Sequence, residues 1–208
     1  MINGKYIIGI LGGVGSGKST VLNYITSHYQ AEAIYADEVG RELMRPGRSV
    51  YYALLEVYGD ALLSADGTID KEKLSAIVYE SETSQKEVNG IEHPLIKSEI
   101  ESRILNARAR VLFLEAALLI EGGLKEICDE IWMITADREI RIRRLMENRQ
   151  YSRERCEAIM ALQMDEQTMK KHAQIRIDNG NDFSETQDAV DYYMNVLSLD
   201  LHEDLKKY

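Results

Sequence analysis

Residues Gly9–Val21 read GILGGVGSGKSTV, a short apolar run leading into closely spaced glycines, one lysine and three hydroxyls. Within it, Gly12-x-x-x-x-Gly17-Lys18-Ser19 has the spacing of a phosphate-binding loop, with Gly13 and Gly15 as further small residues. Glycines allow the positive-φ turns that aim successive backbone N–H groups inward, and without side chains they let a phosphate approach the chain. A helix from about Lys18 to His28 then adds unpaired N–H groups and the positive end of its dipole to the same anion. The pattern assigns Gly13, Val14, Gly15, Ser16, Gly17, Lys18, Ser19 and Thr20 to a bound nucleotide. Lys18 is expected to reach the β- and γ-phosphates, and the Ser19 hydroxyl to coordinate Mg²⁺. NTPases, motors and small-molecule kinases all use such a loop, so it points to a donor and leaves the acceptor open.

Strand candidates recur at Tyr6–Leu11, Glu32–Ala36, Val111–Glu115, Ile131–Thr135 and Ile175–Asp178, separated by stretches of helical periodicity. This alternation predicts an α/β fold of three layers, a P-loop NTPase-like parallel sheet with helices on both faces. The long interval between the second and third strands holds helix candidates at Glu38–Met44, Ser49–Tyr58 and Lys71–Tyr79, and a long one beginning near Pro94. Asp60 and Asp66-Gly67 mark turns, and Asp70 suits the N-cap of the helix at Lys71. A second interval contains Arg138, Arg141, Arg143, Arg144, Arg149, Arg153 and Arg155 and breaks near Asn148–Ser152, which predicts a helix–turn–helix flap. The arginines fit either a solvated helix with i,i+4 ion pairs or an anion-gripping lid. The expected division is a nucleotide-binding core of residues 1–37, 107–136 and 172–208, a helical insertion over 38–106 and a lid over 137–171.

The 208 residues can bury a proper core without disulfides, and Cys128 and Cys156 show neither C-x-x-C nor zinc spacing, so they read as reduced packing residues. That favours the cytoplasm. No apolar stretch approaches the roughly 20 residues of a membrane span, and the Tyr6–Leu11 run is shorter than a signal-peptide core. A net charge of −10 argues against broad nucleic-acid binding, which depends on a positive field meeting phosphates. The expected partners are therefore small molecules, with no nucleic acid and no membrane; the oligomeric state is left open.

Extended outward, the glycine stretch resembles the opening of the dephospho-CoA kinase family, a strand followed by G-G-I-G-S-G-K-S-T-V. IYADEVGREL at Ile34–Leu43 is similar to that family's second-strand end in Asp-Ala-Asp, EHPLI at Glu92–Ile96 to its His-Pro motif, and EAALLIEGGL at Glu115–Leu124 to its Pro-Leu-Leu-Phe-Glu stretch. DEIWMITADREIRIRRLMENR with SRERCEAIMALQ resembles its fourth strand and lid, and IRIDNG at Ile175–Gly180 its final strand and Asn-x-Gly ending. The matches are ordered and span about residues 6 to 180. Tyr35 stands where the family usually has the first Asp of Asp-Ala-Asp, and Ala117 replaces the proline before Leu-Leu. In the lid, Asn148-Arg149 sits where the family tends to have an arginine one position earlier, and Ala173-Gln174 where Ala-Asp is usual.

The resemblance implies transfer of the γ-phosphoryl of ATP to the ribose 3′-hydroxyl of dephospho-CoA, with ATP and Mg²⁺ as cofactors and residues 38–106 binding the acceptor. Asp37, at the carboxyl end of the second strand, is the expected proton acceptor, although an Asp there also suits a helix cap. Glu115 is expected near the metal, and Arg144 and Arg149 on the phosphates when the lid closes. Arg41 and Arg45 are candidates for the acceptor's pyrophosphate, with surface ion pairs the competing reading, and His93 is a candidate acceptor contact. Asn179 and Gly180 follow the last strand where an adenine would lie, or form a simple turn there. Two alternatives stay open: another P-loop kinase acting on a nucleoside or nucleotide, and an ATP-binding relative that has lost transfer.

Overall fold

The computed structural model describes residues 2–207. Its centre is β1 (Tyr6–Leu11), in which Ile7, Ile8 and Ile10 are fully buried. A β-branched run with no polar alternation can be stable only where both faces of a strand are covered, as in the middle of a parallel sheet. β1 indeed lies between β3 (Val111–Glu115) and β4 (Glu130–Thr135), parallel to both, with Tyr6 opposite Val111 and Ile8 opposite Glu130. β2 (Ala31–Tyr35) and β5 (Ile175–Asp178) complete a five-stranded sheet of order β2-β3-β1-β4-β5. Gly9 interrupts the isoleucines because a Cβ there would come within 2.9 Å of both Cys128 Sγ and Leu119 Cδ2.

Two compact units divide the chain: one runs up to Ala33 and resumes at Ala107, and the other is Ile34–Asn106. In the first, α1 (Lys18–His28) buries Val21, Leu22 and Ile25, and α9 (Phe183–Leu201) buries Val190, Met194 and Leu197. The two helices are tied by Asp191, whose Oδ1 accepts from Tyr24 Oη at 2.8 Å and Tyr29 Oη at 2.6 Å. Burial, then the bond to Asp191, pushes the Tyr24 phenol up to about 12. Trp132 of β4 is fully buried and meets Phe113 edge-on at 5.4 Å. Glu32 fixes the turn before β3, its Oε1 accepting from the N–H groups of Arg108 and Ala109 at 2.8 and 2.7 Å. Both cysteines are free thiols; Cys156 is fully buried, and burial raises Cys128 to about 12.

After β4 come α6 (Arg138–Arg149), α7 (Arg153–Ala161) and α8 (Glu166–His172). The break expected near Asn148–Ser152 is present: α6 ends on Gln150 in the left-handed region, and Ser152 Oγ caps α7 by accepting from Arg155 N. The arginine cluster divides into two groups. Arg138 and Arg153 pair with Glu139 and Glu157, and Arg155 lies 4.1 Å above the Tyr151 ring, whereas Arg141 and Arg144 turn towards the glycine loop.

The unit Ile34–Asn106 contains α2 (Ala36–Leu43), α3 (Ser49–Tyr58), α4 (Lys71–Glu80) and α5 (Glu82–Asn106). Asp70 caps α4 as its sequence predicts, accepting from Glu72 N and Lys73 N. α2 starts earlier than expected, at Ala36, because Ala36, Val39, Gly40 and Leu43 form a buried stripe that recruits the last predicted strand residue into the helix. The long helix also corrects its predicted start: Pro94 does not open it but lies inside a helix of 25 residues. A proline leaves the carbonyl four residues earlier without its partner, and that residue, Gly90, is exposed, so water can satisfy it. Val88, Ile100 and Ile104 are buried along α5, and Arg103 bonds both Glu99, at 3.0 Å, and Glu42 of α2.

Burial alone pushes the carboxyl of Glu92 on α5 up, and its Oε1 is buried without a partner. A raised acid favours its neutral form in the folded chain, so the cost of ionising it is absent below its unfolded pKa of about 4.3 and grows as pH rises through the folded value. Glu92→Gln is therefore expected to raise Tm by about 3 °C at pH 8, with the gain shrinking towards zero near pH 4. Melting curves at the two pH values check this, and an equal shift at both would remove the carboxyl as the cause.

Candidate active site

The glycine loop closes because its backbone takes turns that side chains would forbid. Gly12, Gly15 and Gly17 have φ of 149°, 80° and 89°, and a Cβ at Gly12 would overlap the carbonyl oxygen of Ile134. Gly17 is the N-cap of α1 and makes no side-chain cap, and the amino end of a helix is a place that favours an anion. Lys18 Nζ donates to the Gly12 carbonyl at 2.8 Å and lies 3.5 Å from Glu115 Oε1. The ladder accounts for that meeting: Ile10 sits opposite Glu115 in parallel strands, so the loop leaving β1 and the last residue of β3 lie at the same carboxyl end of the sheet. Ser19 follows, exposed in the first turn of α1, with Thr20 also exposed. A hydroxyl and a nearby carboxylate are hard oxygen donors of the kind Mg²⁺ takes alongside waters and phosphates. Among the described residues no cluster of three or more His, Cys, Asp or Glu is arranged to hold a metal by itself.

Arg144 and Asn179 close the other side of the loop. Asn179 is buried; its Nδ2 donates to the Ser16 carbonyl at 2.8 Å, its Oδ1 accepts from Thr186 Oγ1 at 3.0 Å, and its N–H donates to the Thr135 carbonyl at 2.7 Å. A Cβ at Gly17 would overlap that Nδ2, so the loop's second invariant-spacing glycine is needed for Asn179 to dock. Arg144 Nη2 donates to the Asn179 carbonyl at 2.8 Å, and Nη1 reaches the Ser16 carbonyl at 3.4 Å. Gly180 N donates to Asp178 Oδ1 at 2.9 Å, the hydrogen bond of a short turn. Arg149 is not part of this group. It is exposed at the last position of α6, five residues and so well off the face that carries Arg144.

Sequence reasoning missed two residues. Arg141, one helical turn before Arg144 on the same face, donates from Nε to the Val14 carbonyl at 2.8 Å. Gln163 Oε1 accepts from Val14 N at 2.8 Å. Arg141 is half-buried at the edge of a cavity of about 230 Å³ that also borders Gly13 and Ser16, and burial lowers its pKa. Its position in a run of arginines gave no sign that it faces the loop, and Gln163 belongs to no binding pattern. Their signal is packing: Val14 sits against the cluster of Ile142, Leu145 and Cys156.

The remaining candidates belong to the unit Ile34–Asn106. Asp37 is exposed in the first turn of α2 and does not cap it: the N-cap is Tyr35, and no side-chain cap hydrogen bond is made there. Arg41 Nε donates to the Asp37 carbonyl at 3.1 Å, and its Nη2 lies 3.9 Å from Glu38. Arg45 is exposed beyond the end of α2 rather than one turn along it. His93 is half-buried in the middle of α5.

Residues 6–185 match the family model described as dephospho-CoA kinase. The curated dephospho-CoA kinase of Geobacter sulfurreducens is 35% identical over 188 residues, covering 89% of this chain and 95% of the relative. That of Streptococcus mutans is 35% identical over 194 residues, covering 92% and 97%. Among solved structures, TT1252 from Thermus thermophilus superposes with a TM-score of 0.80 at 25% identity, over 93% of this chain and 98% of the other. A dephospho-CoA kinase from Campylobacter jejuni, with TM-score 0.67 and 22% identity over the same shares of each chain, supports the fold.

Proposed function

The chain belongs to the dephospho-CoA kinase family, and from that membership we propose that it transfers the γ-phosphoryl of ATP to the ribose 3′-hydroxyl of dephospho-CoA, giving CoA and ADP. It is an ATP-dependent kinase. The observation that carries the reading is the loop itself: a left-handed Gly17 that opens α1 without a side-chain cap, and Lys18 reaching back to the Gly12 carbonyl. Phosphoryl transfer has a loose transition state, so the work of the protein is alignment and charge stabilisation. The loop N–H groups and Lys18 hold the donor phosphates and stabilise the charge that moves towards the leaving ADP. Arg144, whose fork already lies against the loop, adds a second cation, and Asn179 keeps the Ser16–Gly17 turn in place. Arg149, Gly180, Arg41, Arg45 and His93 are proposed at the edges of the nucleotide and acceptor sites.

In the unit Ile34–Asn106, Asp37 accepts the proton of the 3′-hydroxyl as its oxygen bonds to the γ-phosphorus and the bond from that phosphorus to ADP breaks. The side chain is exposed, and α2 does not use it as a cap. An ordinary carboxylate suffices, because the proton is needed only late in the transfer. Ser19 and Glu115 would hold Mg²⁺, which would supply positive charge against the negative charge of the phosphates. We also propose that the protein works in the cytoplasm, where thiols such as its two cysteines stay reduced; among the described residues no helix is long and apolar enough to cross a membrane.

An acceptor panel tests the substrate assignment. ADP release measured with dephospho-CoA, adenosine and nucleoside monophosphates should proceed with dephospho-CoA alone, and preference for a nucleoside or nucleotide overturns it. For the metal, chelation should stop turnover, and Ser19→Ala should raise the Mg²⁺ concentration for half-maximal rate about tenfold. An unchanged requirement would take Ser19 out of the metal site.

A further inference from the structure

Val14, at the tip of the phosphate loop, is gripped at three points by the segment that follows β4. Its N–H donates to Gln163 Oε1 at 2.8 Å, its carbonyl accepts from Arg141 Nε at 2.8 Å, and its side chain packs against Ile142, Leu145 and Cys156. The two polar grips also brace each other, since Arg141 Nη2 lies 3.5 Å from the same Gln163 oxygen. Two of the loop's glycines are shaped by this contact as much as by any phosphate. A Cβ at Gly13 would overlap the Arg141 guanidinium, and one at Gly15 would come within 2.8 Å of the Arg141 carbonyl oxygen. A residue that both occupies the space freed by two glycines and bonds the residue between them dictates the shape of that loop.

We propose that Arg141 and Gln163 are positioning residues for ATP: acting through Val14, they hold the Gly12–Gly17 loop in its phosphate-binding shape, and the segment from α6 to Gln163 is fastened to the loop rather than hinged over it. This rests on the reading that the loop receives the phosphates of ATP. A glycine-rich loop loses more conformational freedom on ordering than other sequences. When folding has already ordered it, that loss no longer opposes ligand binding, and affinity gains. The polar grips act on the loop's main chain, so their removal weakens ATP binding while the transfer step, once ATP is seated, keeps its rate. Opening of the lid as a free flap would have to draw Val14 out of its apolar cluster, so closure does not take place at this joint.

The test is calorimetric titration of ATP into the whole protein without acceptor, alongside steady-state turnover. Gln163→Met keeps the length of the side chain and removes the acceptor; its Kd for ATP is expected to rise about tenfold, with kcat within about twofold and KM for dephospho-CoA unchanged. Gln163→Glu keeps an acceptor oxygen and should return Kd to within about threefold of wild type. Arg141→Lys keeps the charge but not the planar fork, and its Kd should rise about fivefold. The proposal is overturned by a wild-type Kd in Gln163→Met, whether Tm falls or not, by a fall in kcat with Kd unchanged, or by a wild-type Kd in Arg141→Lys, which would leave only the charge at work. Lys18→Ala separates the two levels of inference. If it binds ATP as wild type does, the loop reading itself fails; if it loses binding while Gln163→Met does not, only the clasp fails.

Discussion

Lys18→Ala is expected to lower kcat/KM for ATP by at least about a thousandfold while leaving the fold intact. The ammonium sits where the chain concentrates its anion-binding groups, 2.8 Å from the Gly12 carbonyl and 3.5 Å from Glu115. Its bond to Gly12 spans the loop from the helix to the end of β1, so the lysine both stabilises charge on the moving phosphoryl group and steadies the turn that receives it. The bond to Gly12 cannot pass to a neighbour: Arg144 donates to the Asn179 carbonyl, and Arg141 to Val14. The core under the loop consists of Ile10, Val21 and Leu22, all fully buried and none in need of the lysine, so Tm should fall by no more than a few degrees. ADP release with saturating dephospho-CoA over a range of ATP concentrations, together with a melting curve, checks both halves. A variant rate within tenfold of wild type would remove the loop from the mechanism.

The second large effect is expected at Asp37. Asn has the same shape and cannot take a proton, so Asp37→Asn should lower kcat about a hundred- to ten-thousandfold, with KM for ATP little changed. The alternative reading, an aspartate that merely starts a helix, predicts full turnover, since Asn caps a helix about as well as Asp. The structure makes the two outcomes easy to tell apart. α2 begins at Ala36 after a Tyr35 cap that uses no side chain, so Asn at position 37 removes no capping bond. What it loses is an acidic charge in the first helical turn, worth about 0.3–1 kcal/mol and a correspondingly small shift in Tm. Rate and stability measured on one preparation decide the matter, and ordinary turnover would end the assignment of Asp37 as proton acceptor.

Much of the fold was legible in the sequence because its signals are local. β1, β3 and β5 have the bounds their apolar runs predict, and α1 runs from Lys18 to His28 as the loop pattern requires. Asp70 and Ser152 cap the helices they precede, since a cap needs only its own side chain and the next turn. The misreadings arose where distant packing outweighed a local rule. Pro94 has the signature of a helix start, yet the burial of Val88 on one side and Ile100 and Ile104 on the other carries α5 through it. Arg41 and Arg45 are spaced as neighbours on a helix, but α2 ends before Arg45.

What the sequence by itself determined is the phosphate loop, its flanking strand and helix, and the family, because those depend on contiguous residues whose conformational demands are met within a few turns of chain. Only the tertiary structure decided which cations serve the loop. Arg141 and Arg144 face it, Arg149 does not, and Gln163 and Asn179 hold its backbone. Which side of a helix turns inward is set by the apolar residues it buries, here Ile142 and Leu145 against Val14, and that pairing joins segments more than a hundred residues apart. No local pattern encodes such a choice, because it is made only when the segments pack.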